Sequence, residues 1–298
     1  MLSDNQYCIQ GKSIVGCNTR IRDTMYYLGS NNKTGAVINV DWEKAFDRVN
    51  WVFLYKVLKK MKFPEVIISW IQNLYTNIQS LVMVNGFFTN CFDVKRGVRQ
   101  GCPLSMLLFI IFQNPLYTAF ERSVIIRPIG INGKNVLHCG YADDTNIFVD
   151  NDESFVETFQ ILNYFEKATN SKMNVRKTTV YGFGGWKGRV NWPILGLKVE
   201  VEYFSSLGII YSENYNKALD TLWNKTYNKI KNRIPLMVNR GFTLYQKAAL
   251  VNSLISSKLW YIAHVYPLPY KYTILINREI FYFVWGSYHY NPIKRDSV

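Results

Sequence analysis

A chain of 298 residues and 34.8 kDa has room for two domains, and at this length roughly 75% of the unfolded surface can be buried. Hydrophobic residues make up 48% and charged residues 19%, which excludes an intrinsically disordered chain. The net charge of +14 and a pI near 9.4 favour a polyanionic partner, either nucleic acid or an anionic membrane surface.

In chain order, Gly35 to Val40 is a short β-branched run ending at Asp41, the pattern of a buried strand that delivers a carboxylate at its C-terminal end. Apolar positions at helical spacing predict a helix over Trp51 to Met61, ended by Pro64, and a second over Glu65 to Tyr75. Gln79 to Asn85 and Phe88 to Val94 alternate around Gly86, which predicts a hairpin. Arg96 to Pro103 is a glycine-bearing loop, followed by a long apolar helix expected to break near Pro115. Val136 to Asp150 is expected to run strand, turn, strand with Ala142-Asp143-Asp144 at the tip. A helix over Glu153 to Thr169, a strand over Thr178 to Phe183 and a hairpin over Leu197 to Ile210 follow. The remainder is helical, with candidates at Asn216 to Asn232, Leu244 to Trp260 and Thr273 to Trp285.

Composition shifts near residue 212, where a domain boundary is expected. From Tyr215 to the end, twelve lysines and arginines face three acids, so +9 of the +14 lies there. The longest unbroken apolar run, Met106 to Phe112, is far short of the ~20 residues of a membrane-spanning helix, and Met1 to Asn5 carries no export signal. A soluble, intracellular protein with no membrane partner is expected. Five cysteines, none in a C-x-x-C pair, then read as thiols rather than a zinc site. His138, His264 and His289 have no metal-ligand spacing and read as packing or surface residues.

Two acidic features could carry chemistry: Asp41 at a strand end and the pair Asp143-Asp144. Successive side chains on a strand point to opposite faces, so adjacent aspartates can serve one ion only where the backbone turns. Aspartate is also a common turn residue, so the pair alone is weak. If all three carboxylates met within ~4 Å, each pair would repel by about 4 kcal/mol at an effective dielectric near 20. Divalent cations would be required, and hard oxygen ligands favour two Mg²⁺ or Mn²⁺ ions suited to in-line displacement at phosphorus.

Three stretches carry a resemblance: Val37 to Trp51 (VINVDWEKAFDRVNW), Arg96 to Ser105 (RGVRQGCPLS) and Gly140 to Thr145 (GYADDT). In content and order they resemble consecutive motifs of the reverse transcriptases of LINE-type (non-LTR) retrotransposons. Weaker matches at Asn174 to Thr178, Leu207-Gly208, Asn252 to Leu268 and Phe283 to Arg295 extend the likeness over nearly the whole chain. It implies an α+β fold: a right-hand polymerase palm, with a ferredoxin-like antiparallel sheet and helices on one face, followed by an all-helical thumb. Residues 1–30 would be the end of the fingers, 31–211 the palm and 212–298 the basic thumb.

The resemblance also implies RNA-directed DNA synthesis, in which the primer 3′ hydroxyl attacks the α-phosphate of a dNTP on an RNA template. Asp41, Asp143 and Asp144 would hold the two metal ions, and Lys177 would sit near the leaving pyrophosphate as a further catalytic group. Phe46 would exclude a 2′-hydroxyl, although its pattern alone is that of a core phenylalanine. Gln100 and Gly101 would lie against the nascent base pair, while Phe204, Leu207 and Gly208 would grip the DNA primer. Lys225, Lys229, Lys231, Arg233 and Lys247 would track phosphates.

The chain departs from the family pattern at Lys12, at Val15-Gly16-Cys17 and at Met106. The fingers residues that hold the triphosphate, an endonuclease domain and a Cys/His knuckle are not found in the sequence. A catalytically inactive nucleic-acid-binding remnant is therefore the alternative expectation. Group II intron maturases share the palm chemistry but resemble the ending less.

Overall fold

The computed structural model describes residues 11–131, 134–194, 196–238 and 240–286. Expectations for Cys8, His289 and Pro292 to Arg295 lie outside these residues. The chain forms two compact units: Tyr27–Phe204 with the chain before Asn18, and Asn18–Tyr26 with the chain from Ser205 on.

The first unit is built on a five-stranded sheet. Gly35–Val40 lies at its centre, flanked by Thr179–Phe183 and Asp144–Val149, with His138–Tyr141 and Lys198–Glu200 outermost. The centre is the most apolar stretch, as expected of a strand buried on both faces. Four of the five strands are antiparallel neighbours, but Lys198–Glu200 runs parallel to Thr179–Phe183. The expected all-antiparallel sheet is thus mixed. The cause is the connection through residues 184–197, which returns the chain to its starting end before the outer strand begins. The same crossover corrects the hairpin expected over Leu197 to Ile210: Lys198–Glu200 joins the main sheet, and Phe204–Ser206 pairs instead with Ile209–Tyr211.

Helices Trp51–Lys60, Glu65–Leu74, Pro103–Arg122 and Asp152–Thr169 share one core with the sheet face that carries Ala36, Ile38, Val40, Ile147, Val149 and Val180. The opposite face, with Val37, Phe148 and Tyr181, is buried too. There the Phe204 ring sits 5.5 Å from Tyr181, and Cys17, from the helix Ile14–Ser30, meets Cys139. That helix had no sequence expectation; Ser13 caps it through a 3.1 Å bond from the Gly16 amide.

Pro103–Arg122 runs through Pro115 without the expected break. Proline inside a helix costs about 3 kcal/mol, and buried Phe109, Phe112, Leu116, Tyr117 and Phe120 on both sides of Pro115 hold the two halves in register. Among the described residues this is the helix long and apolar enough to cross a membrane. It is mostly buried in the core and also buries the polar Gln113 and Asn114 there, which is the environment of a core helix. The predicted 79–94 hairpin forms around Asn85-Gly86, both at positive φ, as two short antiparallel ladders.

Among the described residues, the part of the second unit from Tyr215 on has Tyr215–Arg233, Leu244–Leu250, Ser257–Ala263 and Tyr270–Trp285 as its main helices. The helix expected over Leu244 to Trp260 contains a π-helical turn at Val251–Ser256.

Candidate active site

Strand register decides which acids can meet. Val40 pairs with Thr145 and Tyr141 with Asp144. One further step along the antiparallel ladder sets Asp41 opposite Asp144, on the sheet face away from the four-helix layer. The turn between the two strands is Ala142-Asp143, with Ala142 in the left-handed region at φ 55°. A non-glycine residue there stores of order 1–3 kcal/mol of strain, a cost typical of positions held for function.

The acids feel one another. Burial pushes the Asp144 carboxyl up to about 6, helped by the neighbouring charges of Asp143 and Asp41. Asp41 is also raised, first by burial, while Lys177 opposes the shift and Asp143 adds to it. Lys177 is brought there by the backbone: the Asp41 carbonyl accepts from the Asn174 amide at 2.8 Å, and a tight turn returns the Lys177 amide to the Asn174 carbonyl at 3.0 Å. The Asp41 amide in turn donates to Thr178 Oγ1 at 3.3 Å. Beneath the acids, Asn39 Nδ2 donates to Asn146 Oδ1 at 2.9 Å, and Tyr117 and Thr145 share a 2.8 Å hydroxyl contact.

Among the described residues no three His, Cys, Asp or Glu side chains converge into a ready cation cage. The donor chemistry nevertheless fits a hard divalent ion. The oxygens are carboxylates, and Asp41 and Asp144 are raised in pKa first by burial and then by neighbouring carboxylate charge, both of which penalise the ionised form and which a bound cation would offset.

Phe46 is half-buried and stacks on Phe109 at 4.4 Å, while its carbonyl accepts the Val98 amide at 2.9 Å. The 96–101 loop is fixed to this segment by further bonds from the Gly97 amide to the Val49 carbonyl and from Trp51 Nε1 to the Gly97 carbonyl, each 2.8 Å. Gln100 and Gly101 are exposed beyond this anchor, Gly101 at φ 85°.

Phe204 is 1% exposed, so its side chain is a core group rather than a surface contact. Leu207 and Gly208 form the two-residue turn, with φ 51° and 75°. Tyr261 braces this turn by donating to the Leu207 carbonyl; Asn18 donates to Tyr261 at 3.0 Å and accepts from Tyr211 at 2.8 Å. Lys225, Lys229, Lys231 and Arg233 are exposed. Lys247 instead spends its charge internally, donating to the Val284 carbonyl at 2.9 Å near the C-terminal end of Tyr270–Trp285.

A cavity of about 420 Å³ within the second unit is lined by Gly208, Lys225, Lys229, Ser257, Lys258 and Tyr261, among others. Burial lowers the Lys258 pKa, and the charges of Arg233 and Lys229 lower it further. Sequence reasoning noted the stretch containing Lys258 and Tyr261 but singled out neither residue, and nothing in the sequence marked Asn18.

A family model described as reverse transcriptase (RNA-dependent DNA polymerase) matches residues 3–211. The chain is 23% identical over 295 residues to the transposon TX1 149 kDa protein of Xenopus laevis, covering 96% of this chain and 22% of that protein. It is 23% identical over 224 residues to the Pol polyprotein of retrotransposable element R2 from Popillia japonica, covering 70% and 36% of the two chains. The Drosophila melanogaster element R2DM matches at 28% over 116 residues, 38% of this chain and 10% of that polyprotein. The chain thus spans about a fifth to a third of the length of the first two curated relatives. Among solved structures, Candida albicans telomerase in complex with the TWJ fragment of telomeric RNA aligns at TM-score 0.50 and 12% identity, covering 96% of this chain and 48% of that one. A truncated apo telomerase from Candida tropicalis aligns at TM-score 0.50 and 17% identity, over 66% and 38%. These structures share the fold, a mixed α/β polymerase architecture. The LINE-type resemblance holds, its relatives being transposon and R2 proteins, and the chain belongs to the reverse transcriptase (RNA-dependent DNA polymerase) family.

Proposed function

We propose that the chain carries the palm and thumb of a non-LTR retrotransposon reverse transcriptase, and extends a DNA primer with dNTPs on an RNA template. The observation that carries this reading is the register that sets Asp41 opposite Asp144, beside Asp143 and with Lys177 in electrostatic range. In this reading residues 1–30 end the fingers, 31–211 form the palm and 212–298 the thumb.

Asp41, Asp143 and Asp144 would hold two Mg²⁺ or Mn²⁺ ions, which when bound lower the pKa of the primer hydroxyl and neutralise charge on the α-phosphate. The raised carboxyl of Asp144 must lose its proton to act as a ligand, so binding favours neutral to alkaline pH. Lys177 is exposed and close enough to Asp41 to oppose the burial-driven rise of its pKa, a position from which it can meet the leaving pyrophosphate. The Phe46 ring, fixed by stacking on Phe109, presents a rigid wall to the sugar. Gln100 and Gly101 offer exposed backbone to the base pair. The 207–208 turn supplies backbone, rather than the Phe204 ring, to the primer. Lys225, Lys229 and Lys258 line one cavity that suits backbone phosphates.

Primer extension on an RNA template tests this. Asp143→Asn is expected to lose at least about a hundredfold in incorporation while keeping template binding. Equal activity of wild type and variant would overturn the reading. No incorporation by the wild type, with salt-dependent binding intact, would favour the inactive nucleic-acid-binding alternative.

A further inference from the structure

Cys17 and Cys139 are 122 residues apart in sequence, yet their sulfurs lie 2.7 Å from each other and both residues are fully buried. Buried cysteine usually acts as a small apolar side chain, and packing alone would explain two thiols in a core. Here, however, the two thiols are each other's direct neighbours, and Cys139 Sγ also reaches the Cys17 carbonyl oxygen at 3.7 Å. A disulfide is about 2.05 Å long, so bonding needs the two sulfurs to close by less than about 1 Å. Their placement also matters. Cys139 pairs in register with Asn146, on the sheet face that leads to Asp144, and sits four residues before Asp143 in sequence. Cys17 sits on the helix Ile14–Ser30 and is the last residue before the segment that belongs to the second unit. By contrast, Cys91 is exposed and Cys102 half-buried.

We propose that Cys17 and Cys139 form a redox modification site, closing to a reversible disulfide with a small-molecule disulfide such as oxidised glutathione as the oxidant. One cysteine thiolate attacks a sulfur of the oxidant, forming a mixed disulfide and releasing one glutathione thiolate. The second cysteine thiolate then attacks the protein-side sulfur and releases the other. Two electrons pass from the cysteines to the oxidant, and the two protons leave on the two glutathione thiols. Because both cysteines are buried, the exchange requires local opening of the helix and runs slower than modification of Cys91. Once closed, the bond fastens the helix Ile14–Ser30 to the strand that feeds the Asp143 turn.

The test equilibrates the native 298-residue chain in glutathione buffers of increasing oxidised fraction, quenches with acid, blocks remaining thiols and maps peptides by mass spectrometry. A Cys17–Cys139 linked peptide is expected to rise with the oxidised fraction, to exceed any other cysteine pairing at least tenfold and to disappear on reduction. Cys91→Ser should retain it, whereas Cys17→Ala and Cys139→Ala should lack it. Wild-type chain that gives only glutathione adducts, or pairings among other cysteines, across the whole range would overturn the proposal; this reading needs no variant to fold.

Discussion

Asp144 holds a carboxyl raised to about 6 inside a fold that its ionised form opposes. Its unfolded value is ~3.9, so between those two pH values the folded chain binds more protons than the unfolded one. The contribution of Asp144 to stability is therefore fully present below about pH 4 and is lost as pH rises through about 6. Asp144→Asn removes the charge, and is expected to raise stability at pH 8 by on the order of 1 kcal/mol once solvent screening is allowed for. The gain should vanish near pH 4, which thermal melts of both proteins at the two pH values will check. Phe46 makes a different prediction, because its ring is half exposed rather than sealed in the core. Phe46→Ala should narrow the preference for deoxyribonucleotides over ribonucleotides by about tenfold or more in single-nucleotide extension, and unchanged discrimination would remove the ring from the sugar site. Asp41 was legible from the sequence because a β-branched run ends on it. Lys258 was not, since its pKa is lowered first by burial and then by the charges of Arg233 and Lys229, which come from another helix.

At the scale of elements, Gly97 and Gly101 separate packing from function. Both adopt positive φ, at 98° and 85°. A Cβ on Gly97 would lie 2.9 Å from the Asp47 carbonyl oxygen, whereas one on Gly101 would meet nothing within 4 Å. Gly97→Ala is therefore expected to cost about 2–3 kcal/mol, read as a lower urea midpoint at unchanged slope. Gly101→Ala should cost only about 1 kcal/mol, yet impair primer extension if nucleic acid approaches that backbone. The sequence located the loop, the Pro103 helix start and the turn at 142–143, although Asp144, expected at the tip, begins the next strand; turn chemistry and capping act over a few residues. It misjudged Pro115, whose local preference to break the helix is overridden by packing on both sides. It also missed the parallel edge strand, since strand direction depends on the path of the preceding connection rather than on the strand's own residues.

For the molecule as a whole, the proposed function makes the unequal charge the feature that governs how it would meet a polyanion. Lys225, Lys229 and Lys258 face one cavity, while the nearby Asp220 is held by Lys271. Binding of a primed RNA template should weaken steeply with salt. Replacing any one of the three lysines by alanine should reduce the slope of log affinity against log salt by about 1, whereas Lys247→Ala should leave the slope unchanged and lower stability. Unchanged slopes in all three cavity variants would remove this surface from the nucleic-acid interface. The sequence by itself determined the family, the strand ending in Asp41, the acidic turn and the basic C-terminal segment, since each is written in neighbouring residues or in composition. Only the tertiary structure decided that Asp41 faces Asp144, that Phe204 is sealed in the core, that Lys247 is committed to a helix end, and that Cys17 meets Cys139. Those facts depend on strand register and on packing between segments distant in sequence, by more than a hundred residues for Asp41 with Asp144 and for Cys17 with Cys139, where local pattern carries no information.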